Sequence, residues 1–221
     1  MAKVAPADRL AFERQLWQQG LRVVAGVDEA GRGPLAGPVV AAAVILPAAW
    51  ADGGFPADLR DLNDSKQLTA TQRETFFARL TACPEIQHGI ASVEPAEIDR
   101  VNILRATHQA MAAALAGLAT SPEHVLVDGL PVAGLRWPQT ALVKGDSRSY
   151  SIAAASVLAK VTRDRQMLEY DRVYPAYGFA RHKGYPTPEH LAALRRHGPS
   201  PIHRHSFAPV RAEQGELFPV P

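Results

Sequence analysis

Short apolar runs rich in valine, isoleucine and alanine recur along the chain, and longer segments with apolar residues at helical spacing separate them. The runs favour buried strands, whereas the intervening segments favour amphipathic helices. Their alternation, without an internal repeat, predicts a layered α/β domain. The chain has 221 residues, of which 47% are hydrophobic, and this is enough for one domain with a substantial core.

Five apolar runs predict strands. The first should span residues 22–27 and end before Asp28, and the run VVAAAVILP should lie beside it, joined by the connection GRGPLAGP. HGIASV predicts a third strand, and two shorter runs lead to Asp128 and to Gly145–Asp146. The strands are therefore separated by enough chain to place helices between them.

Helices are predicted at several places between the strands. Thr69 and Gln72 stand at capping-box spacing before one of them. That helix should bury Phe76, Phe77 and Leu80. Another amphipathic helix is predicted from Pro95 to Leu118. Its expected core side chains are Ile98, Leu104, Met111, Leu115 and Leu118.

Acidic residues follow three of the predicted strands. Asp28 and Glu29 follow the first, Asp128 follows a later one, and Asp146 follows the last. Adjacent side chains on an ideal strand point to opposite faces, so Asp28 and Glu29 could share one site only if the strand ends before them. Ligand sites of α/β sheets lie at strand ends, where the four carboxylates can converge. Any one of them alone would be typical of a turn.

Four carboxylates held close together repel one another unless a cation lies between them. No cysteine and no paired helical histidines stand nearby, so the donor set favours Mg²⁺ or Mn²⁺ over zinc. Such ions usually act on phosphates, and a pair of them can catalyse phosphodiester hydrolysis. The acids therefore indicate metal-dependent chemistry on a phosphate ester.

Basic residues are concentrated late in the chain, although the formal net charge is only +2. Between residues 172 and 211 the single acid is Glu189, and five histidines are interleaved. The basic residues of this stretch are Arg172, Arg181, Lys183, Arg195, Arg196, Arg204 and Arg211. The stretch would suit an anionic polymer, and a solvated surface segment would give the same pattern.

Other chemistries have less support in the sequence. GRGPLAG approaches a dinucleotide fingerprint, but its third glycine falls one position late and Pro34 would disturb the helix start. No G-x-S-x-G elbow occurs, and Cys83 precedes a proline with no obvious base nearby. A nucleic-acid-binding protein that is non-catalytic, or one with metal-dependent activity of different specificity, is the alternative. A non-catalytic protein would leave the four acids unexplained.

The single cysteine excludes an intramolecular disulfide and fits a reducing compartment. The first twenty residues carry charges throughout and lack the apolar core of a signal peptide, and no apolar run reaches membrane-spanning length. We therefore expect a cytoplasmic protein without membrane contact.

Six blocks resemble, in order, the motifs of the bacterial ribonuclease HII family, the type 2 ribonucleases H. They are GVDEAGRGPLAGPVVAAAV, LNDSKQLT, EIDRVNILRAT, VLVDG, KGDSRSYSIAAASVLAKVTRDR and HKGYPTPEH. The resemblance implies an RNase H-like fold, with a mixed sheet flanked by helices and a C-terminal helical part. Residues 1–210 would form the catalytic domain, and residues 211–221 a disordered tail.

The resemblance also implies an activity and its residues. The family hydrolyses the RNA strand of RNA:DNA hybrids and cuts 5′ of single ribonucleotides embedded in duplex DNA, using two Mg²⁺ or Mn²⁺ ions. The catalytic metal ligands would be Asp28, Glu29, Asp128 and Asp146. The 2′-hydroxyl would be contacted by Gly31, Arg32 and Gly33, and Tyr185 would stack on the deoxyribose that follows. The expected phosphate contacts are Asn63, Ser65, Lys66 and Lys144.

Three further expectations concern single segments. Asp164 should pair with Lys160, four residues before it on a helix, rather than bind metal. His182 is a weak candidate for a proton carrier. In the tail, Gln214, Leu217 and Phe218 stand in the Q-x-x-L-F order that resembles peptides binding the bacterial sliding clamp.

Overall fold

The computed structural model describes residues 8–213, in which a five-stranded mixed sheet lies between helices. The strands are β1 (Val24–Ala30), β2 (Val39–Ile45), β3 (Gln87–Val93), β4 (His124–Asp128) and β5 (Gln139–Leu142). The helices are α1 (Ala11–Gln18), α2 (Trp50–Gly53), α3 (Ala70–Ala82), α4 (Pro95–Val101), α5 (Ile103–Ala116), α6 (Tyr150–Val173), α7 (Phe179–His182), α8 (Pro188–His197) and α9 (Val210–Glu213). Short 3₁₀ turns occupy Ala57–Leu59 and Gly145–Ser147. The predicted α/β class and mixed sheet are confirmed.

Strand β1 lies at the centre of the sheet, whose order is β3-β2-β1-β4-β5. It runs antiparallel to β2 and parallel to β4, while β5 runs parallel to β4. Helices cover both faces, so the central strands are apolar on both sides. Val24 and Val44 belong to the core on the α6 side, and Val27 and Ala41 to the core on the α5 side.

Helix α6 crosses the sheet closely because β1 has a glycine where they meet. A Cβ on Gly26 would clash with the backbone of Ser151 in the first turn of α6. The buried carboxylate of Glu13, on α1, accepts hydrogen bonds from the Ser151 amide at 3.0 Å and from the hydroxyls of Ser149 and Ser151. This carboxylate lies at the start of α6, where the helix dipole favours negative charge.

The predicted helix from Pro95 to Leu118 is in fact two helices, α4 and α5. Asn102 separates them with a φ of 74°, and its side chain accepts a hydrogen bond from the Arg105 amide at the start of α5. Leu104 lies in the first turn of α5, where it lines a cavity with Glu29 and Asp128; it is 52% exposed, so its predicted core position is wrong. In α3 the capping box is present, and Phe76 and Leu80 are buried, whereas Phe77 is half-buried.

The predicted end of the first strand before Asp28 is also wrong. Strand β1 continues through Ala30, and both acids remain paired with β2, Asp28 opposite Ala42 and Glu29 opposite Ala41. The ladder extends because the apolar run of β2 offers partners beyond residue 27. Strand β5 ends at Leu142, so Asp146 lies in the following turn, which Lys144 enters with a φ of 55°.

The C-terminal helical part is fastened to the connection between β1 and β2. Leu35 donates its amide proton to the Gly184 carbonyl at 2.8 Å, and Gly37 donates to Ile202 at 2.9 Å. Helix α9 begins at residue 210, and the predicted domain boundary there stays a prediction. Three residues of the predicted clamp motif, Gln214, Leu217 and Phe218, lie outside the described residues. Among the described helices, none combines the length and apolar character needed to cross a membrane.

Candidate active site

Three carboxylates meet at one edge of the sheet. Asp28 and Asp128 lie side by side because β1 and β4 are parallel neighbours in register from Val24 opposite His124. Asp146 reaches the same point from the turn after β5, and one carboxylate oxygen of each acid lies within 4.8 Å of the others. The Oδ1 atom of Asp128 accepts hydrogen bonds from the amides of Gly145 at 2.6 Å and Asp146 at 3.4 Å, which fixes that turn. We call Asp28, Asp128 and Asp146 the acid cluster.

The negative charge of the acid cluster is only partly balanced by the nearby Lys66. Burial, followed by the charges of Glu29 and Asp128, raises the pKa of Asp28 well above its usual value. Burial and the charge of Asp128 raise the pKa of Asp146 to about 6. Both shifts mean that the anionic cluster is disfavoured in the protein alone, and that a bound cation would favour it.

Glu29 lies outside the acid cluster. Because side chains alternate along β1, Glu29 points to the α5 face and Asp28 to the α6 face. Arg32 contacts Glu29 at 3.3 Å, and Glu29 lines a small cavity of about 150 Å³ together with Asp128 and His108. Burial raises the pKa of Glu29, Arg32 opposes this, and the charge of Asp128 adds to it, so the two carboxylates interact. The structure thus brings together three of the four predicted acids and places the fourth at their side.

Serine side chains fix Asp28 from the helix α6 side. Ser156 is buried, its hydroxyl hydrogen-bonds to the Asp28 carboxylate, and its oxygen lies 2.9 Å from the Ser65 hydroxyl oxygen. Ser65, an expected phosphate contact, is itself 4% exposed and lines the cleft beside this bond. Sequence reasoning missed Ser156, although it stands in the fifth motif two turns into α6.

A cleft of about 500 Å³ adjoins the acid edge. Its lining includes Glu29, the loop Gly31–Arg32–Gly33, Lys66 and Tyr185. The Tyr185 ring is 42% exposed, and a Cβ placed on Gly33 would lie 3.7 Å from its Cε1 atom. The structure therefore places the GRG loop and Tyr185, far apart in sequence, next to each other at one opening.

Two buried arginines hold the GRG loop from behind, a role that no sequence pattern indicated. Arg204 donates to the carbonyls of Gly31 at 2.6 Å and Arg32 at 3.0 Å, and Arg163 donates to Pro38 at 2.9 Å. Gly31 has a φ of 96°, and a Cβ there would clash with the Arg163 side chain. Arg204 belongs to the basic stretch expected to face an anionic polymer, but it is fully buried and structural.

The other expected phosphate contacts are Lys66, Lys144 and Asn63, and they differ in their distance from the acid edge. Lys66 and Lys144 line a second opening of about 340 Å³ that includes Asp64, Asp128 and Asp146. Although burial opposes it, the charges of Asp28, Asp64 and Asp146 raise the pKa of Lys66. Asn63 is half-buried and donates to Gln67 at 3.2 Å.

Two minor expectations have clear geometry. Lys160 and Asp164 form an ion pair at 2.6 Å, as predicted. His182 is buried with both ring nitrogens engaged, one by the Tyr177 carbonyl at 2.8 Å and the other by the Gly184 amide at 3.2 Å. A ring occupied on both sides has no free nitrogen to exchange a proton with substrate.

Solved structures share this architecture. The ribonuclease H2 of Pyrococcus horikoshii matches with a TM-score of 0.71 and 31% identity, over 87% of this chain and 97% of that one. The RNase HII chain in the PCNA:RNase HII complex of Archaeoglobus fulgidus matches with a TM-score of 0.62 and 26% identity, over 79% of this chain and 87% of that one. The fold alone is also shared with Bst-RNase HIII in complex with Mn²⁺. That match has a TM-score of 0.64 and 17% identity, over 97% of this chain and 76% of that one. Fold and acid edge together define an RNase H-like nuclease.

Sequence comparison narrows the class to one family. The family model "Ribonuclease HII" matches residues 25–210. Ribonuclease HII of Geobacillus thermodenitrificans is 57% identical over 206 residues, 93% of this chain and 76% of that protein. The Syntrophobacter fumaroxidans protein is 55% identical over 209 residues, 95% and 86% of the two chains. The chain belongs to the ribonuclease HII family, as the six blocks predicted, and is a hydrolase with ribonuclease H activity.

Proposed function

We propose that this ribonuclease H hydrolyses the RNA strand of RNA:DNA hybrids and also cuts 5′ of a single ribonucleotide embedded in duplex DNA. The products would carry a 3′-hydroxyl and a 5′-phosphate. The observation that carries the proposal is the cleft beside the acid edge that the GRG loop and Tyr185 line together. A site of this shape can examine two neighbouring sugars while the phosphate between them lies near the acids.

The two sides of the cleft suit different sugars. The GRG loop, with glycines that permit close backbone approach, would contact a ribose 2′-hydroxyl, which both donates and accepts hydrogen bonds. The exposed ring of Tyr185 would stack on the next sugar, where a 2′-hydroxyl would interfere. A ribose followed by a deoxyribose satisfies both sides at once. This supports cleavage at the junction.

The acid cluster fits a divalent cation because three hard oxygen donors converge, and because burial and neighbouring carboxylates raise the pKa of Asp28 and Asp146, which a bound cation would oppose. Asp28, Asp128 and Asp146 would hold the metal, and Glu29 would complete the set as a further ligand. Mg²⁺ or Mn²⁺, bound as a pair of ions, would activate water and stabilise the leaving oxygen.

The remaining residues bind and orient the substrate. Lys66 lines both openings at the acid edge and would contact a backbone phosphate, with Lys144 as a second contact. Ser156 holds the Asp28 carboxylate, and Ser65 holds Ser156 in turn. Asn63 would act through the loop that carries Ser65 and Lys66. These roles divide the site into a metal-binding edge, a sugar-reading cleft and flanking phosphate contacts.

The test is a denaturing gel of a duplex that carries one embedded ribonucleotide and a 5′ label on that strand. With Mg²⁺ or Mn²⁺, we expect one labelled product that ends in the 3′-hydroxyl of the preceding deoxynucleotide. EDTA should abolish the product, and an all-DNA duplex of the same sequence should stay intact. If the embedded ribonucleotide survives while a long RNA:DNA hybrid is degraded, the junction specificity is refuted and the ribonuclease H activity stands.

We also propose that the tail docks on a bacterial sliding clamp through Gln214, Leu217 and Phe218, by insertion of apolar side chains into a pocket. Support comes from the Q-x-x-L-F order and from the archaeal RNase HII that was solved in complex with PCNA. In a pull-down with purified clamp, the double variant Leu217→Ala, Phe218→Ala should lose binding, and Glu216→Ala should keep it. Equal capture of all three proteins would overturn this proposal.

A further inference from the structure

A buried chain of hydrogen bonds connects Ser200 to the backbone of Tyr185 through two histidines. Ser200 donates its amide proton to Nδ1 of His203 at 2.9 Å. The Nε2 atoms of His203 and His190 lie 3.0 Å apart, and Nδ1 of His190 lies 3.0 Å from the Tyr185 carbonyl oxygen. Both histidines are fully buried among aromatic rings, including that of Phe179.

The two ends of this chain determine where its protons lie. The Ser200 amide can only donate, so Nδ1 of His203 is an acceptor and the ring carries its proton on Nε2. That proton is donated to Nε2 of His190, which leaves the His190 proton on Nδ1. The Tyr185 carbonyl can only accept, so it receives this proton. One pair of tautomers, with both rings neutral, satisfies every contact.

Burial supports the neutral state of both rings. Burial and the neighbouring imidazole of His182 lower the pKa of His190 to about 4 against the hydrogen bond to Tyr185, and burial with His190 lowers the pKa of His203 to about 4. At neutral pH, the chain therefore holds one fixed proton arrangement. A buried polar chain of this kind is costly unless every member is satisfied, so its members have little freedom to reorient.

We propose that His190 is a positioning residue for the sugar-reading cleft, because its Nδ1 proton fixes the Tyr185 peptide and so aims the exposed ring at the GRG loop. The inference rests on the proposed role of Tyr185 in reading the second sugar. The ring projects into the cleft and is held by its backbone, which also accepts from the Thr187 amide at 2.8 Å and donates to the His182 carbonyl at 2.9 Å. His190 supplies the contact that comes from a neighbouring helix, α8.

Two amide substitutions at His190 distinguish a role in positioning Tyr185 from a role in filling space in the core. The side-chain nitrogen of asparagine reaches the place of Nδ1 in histidine, whereas the terminal amide of glutamine reaches the place of Nε2, where its oxygen can accept the His203 proton. His190→Asn should therefore keep the contact to Tyr185, and His190→Gln should keep only the contact to His203. Glutamine is the closer of the two to histidine in volume, so a space-filling role predicts the opposite order.

The readout is the ratio of kcat/KM on the embedded-ribonucleotide duplex to kcat/KM on a long RNA:DNA hybrid. We expect His190→Asn to stay within about twofold of the wild-type ratio, and His190→Gln to lower it about fivefold, the effect of one hydrogen bond of ordinary strength. The ¹³C-tyrosine ring signal of Tyr185, assigned with Tyr185→Phe, should shift in His190→Gln and stay in place in His190→Asn. Equal ratios and equal spectra for both variants would overturn the proposal.

A wild-type measurement keeps the proposal testable if a variant fails to fold. The ¹⁵N spectrum of histidine-labelled protein distinguishes the two neutral tautomers, and we expect Nδ1–H for His190 and Nε2–H for His203. Nε2–H on His190 would refute the positioning role. Failure of the proposed function would look different, since the wild type would then leave the embedded ribonucleotide intact while the tautomers and the Tyr185 signal still behaved as expected.

Discussion

The acid cluster and the C-terminal helical part differ in how far their polar groups are paired within the protein. At the acid cluster, three carboxylates share one edge with their charges only partly balanced by Lys66, and burial raises the pKa of Asp28 and Asp146. In the C-terminal part, Arg204 and the histidine pair His190–His203 are fully buried, and their donors and acceptors meet protein partners. In the proposed function, the first region receives a ligand and the second holds the cleft in shape.

The largest effect should come from removing one charge of the acid cluster. Asp128→Asn keeps an oxygen for the amides of Gly145 and Asp146 but removes a metal-binding charge. In excess Mg²⁺ we expect activity to fall about a thousandfold, while the melting temperature in EDTA rises because a repulsion is lost. The control is Asp58→Asn, which removes an exposed carboxylate paired with Arg79 and should change neither quantity. Near wild-type turnover in Asp128→Asn would refute the metal-binding role.

In the C-terminal helical part, removing a buried charge should lower the free energy of unfolding. Arg204→Met leaves the carbonyls of Gly31, Arg32 and Gly37 without their donor, which should cost about 3 kcal/mol or more in the free energy of unfolding. Arg204→Lys should recover part of this, since an ammonium cannot reproduce the planar fork. Arg172→Met, which breaks an exposed pair with Glu169, should stay within about 0.5 kcal/mol. Urea unfolding measures all three, and equal losses for Arg204→Met and Arg172→Met would contradict the account.

Lowering the pH should change the contributions of the two regions to the free energy of unfolding in opposite directions. The folded-state pKa of Asp146 is raised to about 6, so its protonation stabilises the metal-free fold as the pH falls toward 3.8. The pKa values of His190 and His203, which face His182 and His205, are lowered to about 4. Below pH 6.5 the unfolded rings take up protons first, so stability falls by at most about 1.4 kcal/mol per pH unit for each ring.

Urea unfolding in EDTA between pH 7.5 and 4.5 separates the two contributions. Asp146→Asn lacks the stabilising protonation, so its free energy of unfolding should decrease more steeply with acid than that of the wild type. Curves that stay parallel over this range would show that Asp146 has no raised pKa in the folded protein.

The smallest effect on stability is expected at Gly33. A Cβ added there would contact only the Tyr185 ring, at 3.7 Å, so Gly33→Ala should change the free energy of unfolding by less than about 0.5 kcal/mol. Gly31→Ala should cost much more, because of the φ of 96° and the clash with Arg163. If Gly33→Ala destabilises the fold as much as Gly31→Ala does, the cleft is packed more tightly than the structure indicates.

Sequence reasoning succeeded where short-range pattern determines structure. The apolar runs predicted the strands, and acids at their ends predicted the convergence of Asp28, Asp128 and Asp146. It failed on the end of β1, because that end depends on pairing with β2, which lies outside the local pattern. It also could not distinguish the buried Arg204 from surface arginines, since burial of a guanidinium depends on carbonyls supplied from more than 160 residues away, as the Gly37 bond shows.

The central claim is that the acid edge cuts while the C-terminal part, through Tyr185, selects the site. Its most direct test is the ratio of kcat/KM on the embedded-ribonucleotide duplex to that on a long RNA:DNA hybrid, for the wild type, Tyr185→Phe and Tyr185→Ala. The account predicts that Tyr185→Ala lowers this ratio about tenfold, the scale of one aromatic stacking contact, and that Tyr185→Phe preserves it. An unchanged ratio in Tyr185→Ala, or an equal loss on both substrates, would contradict the claim.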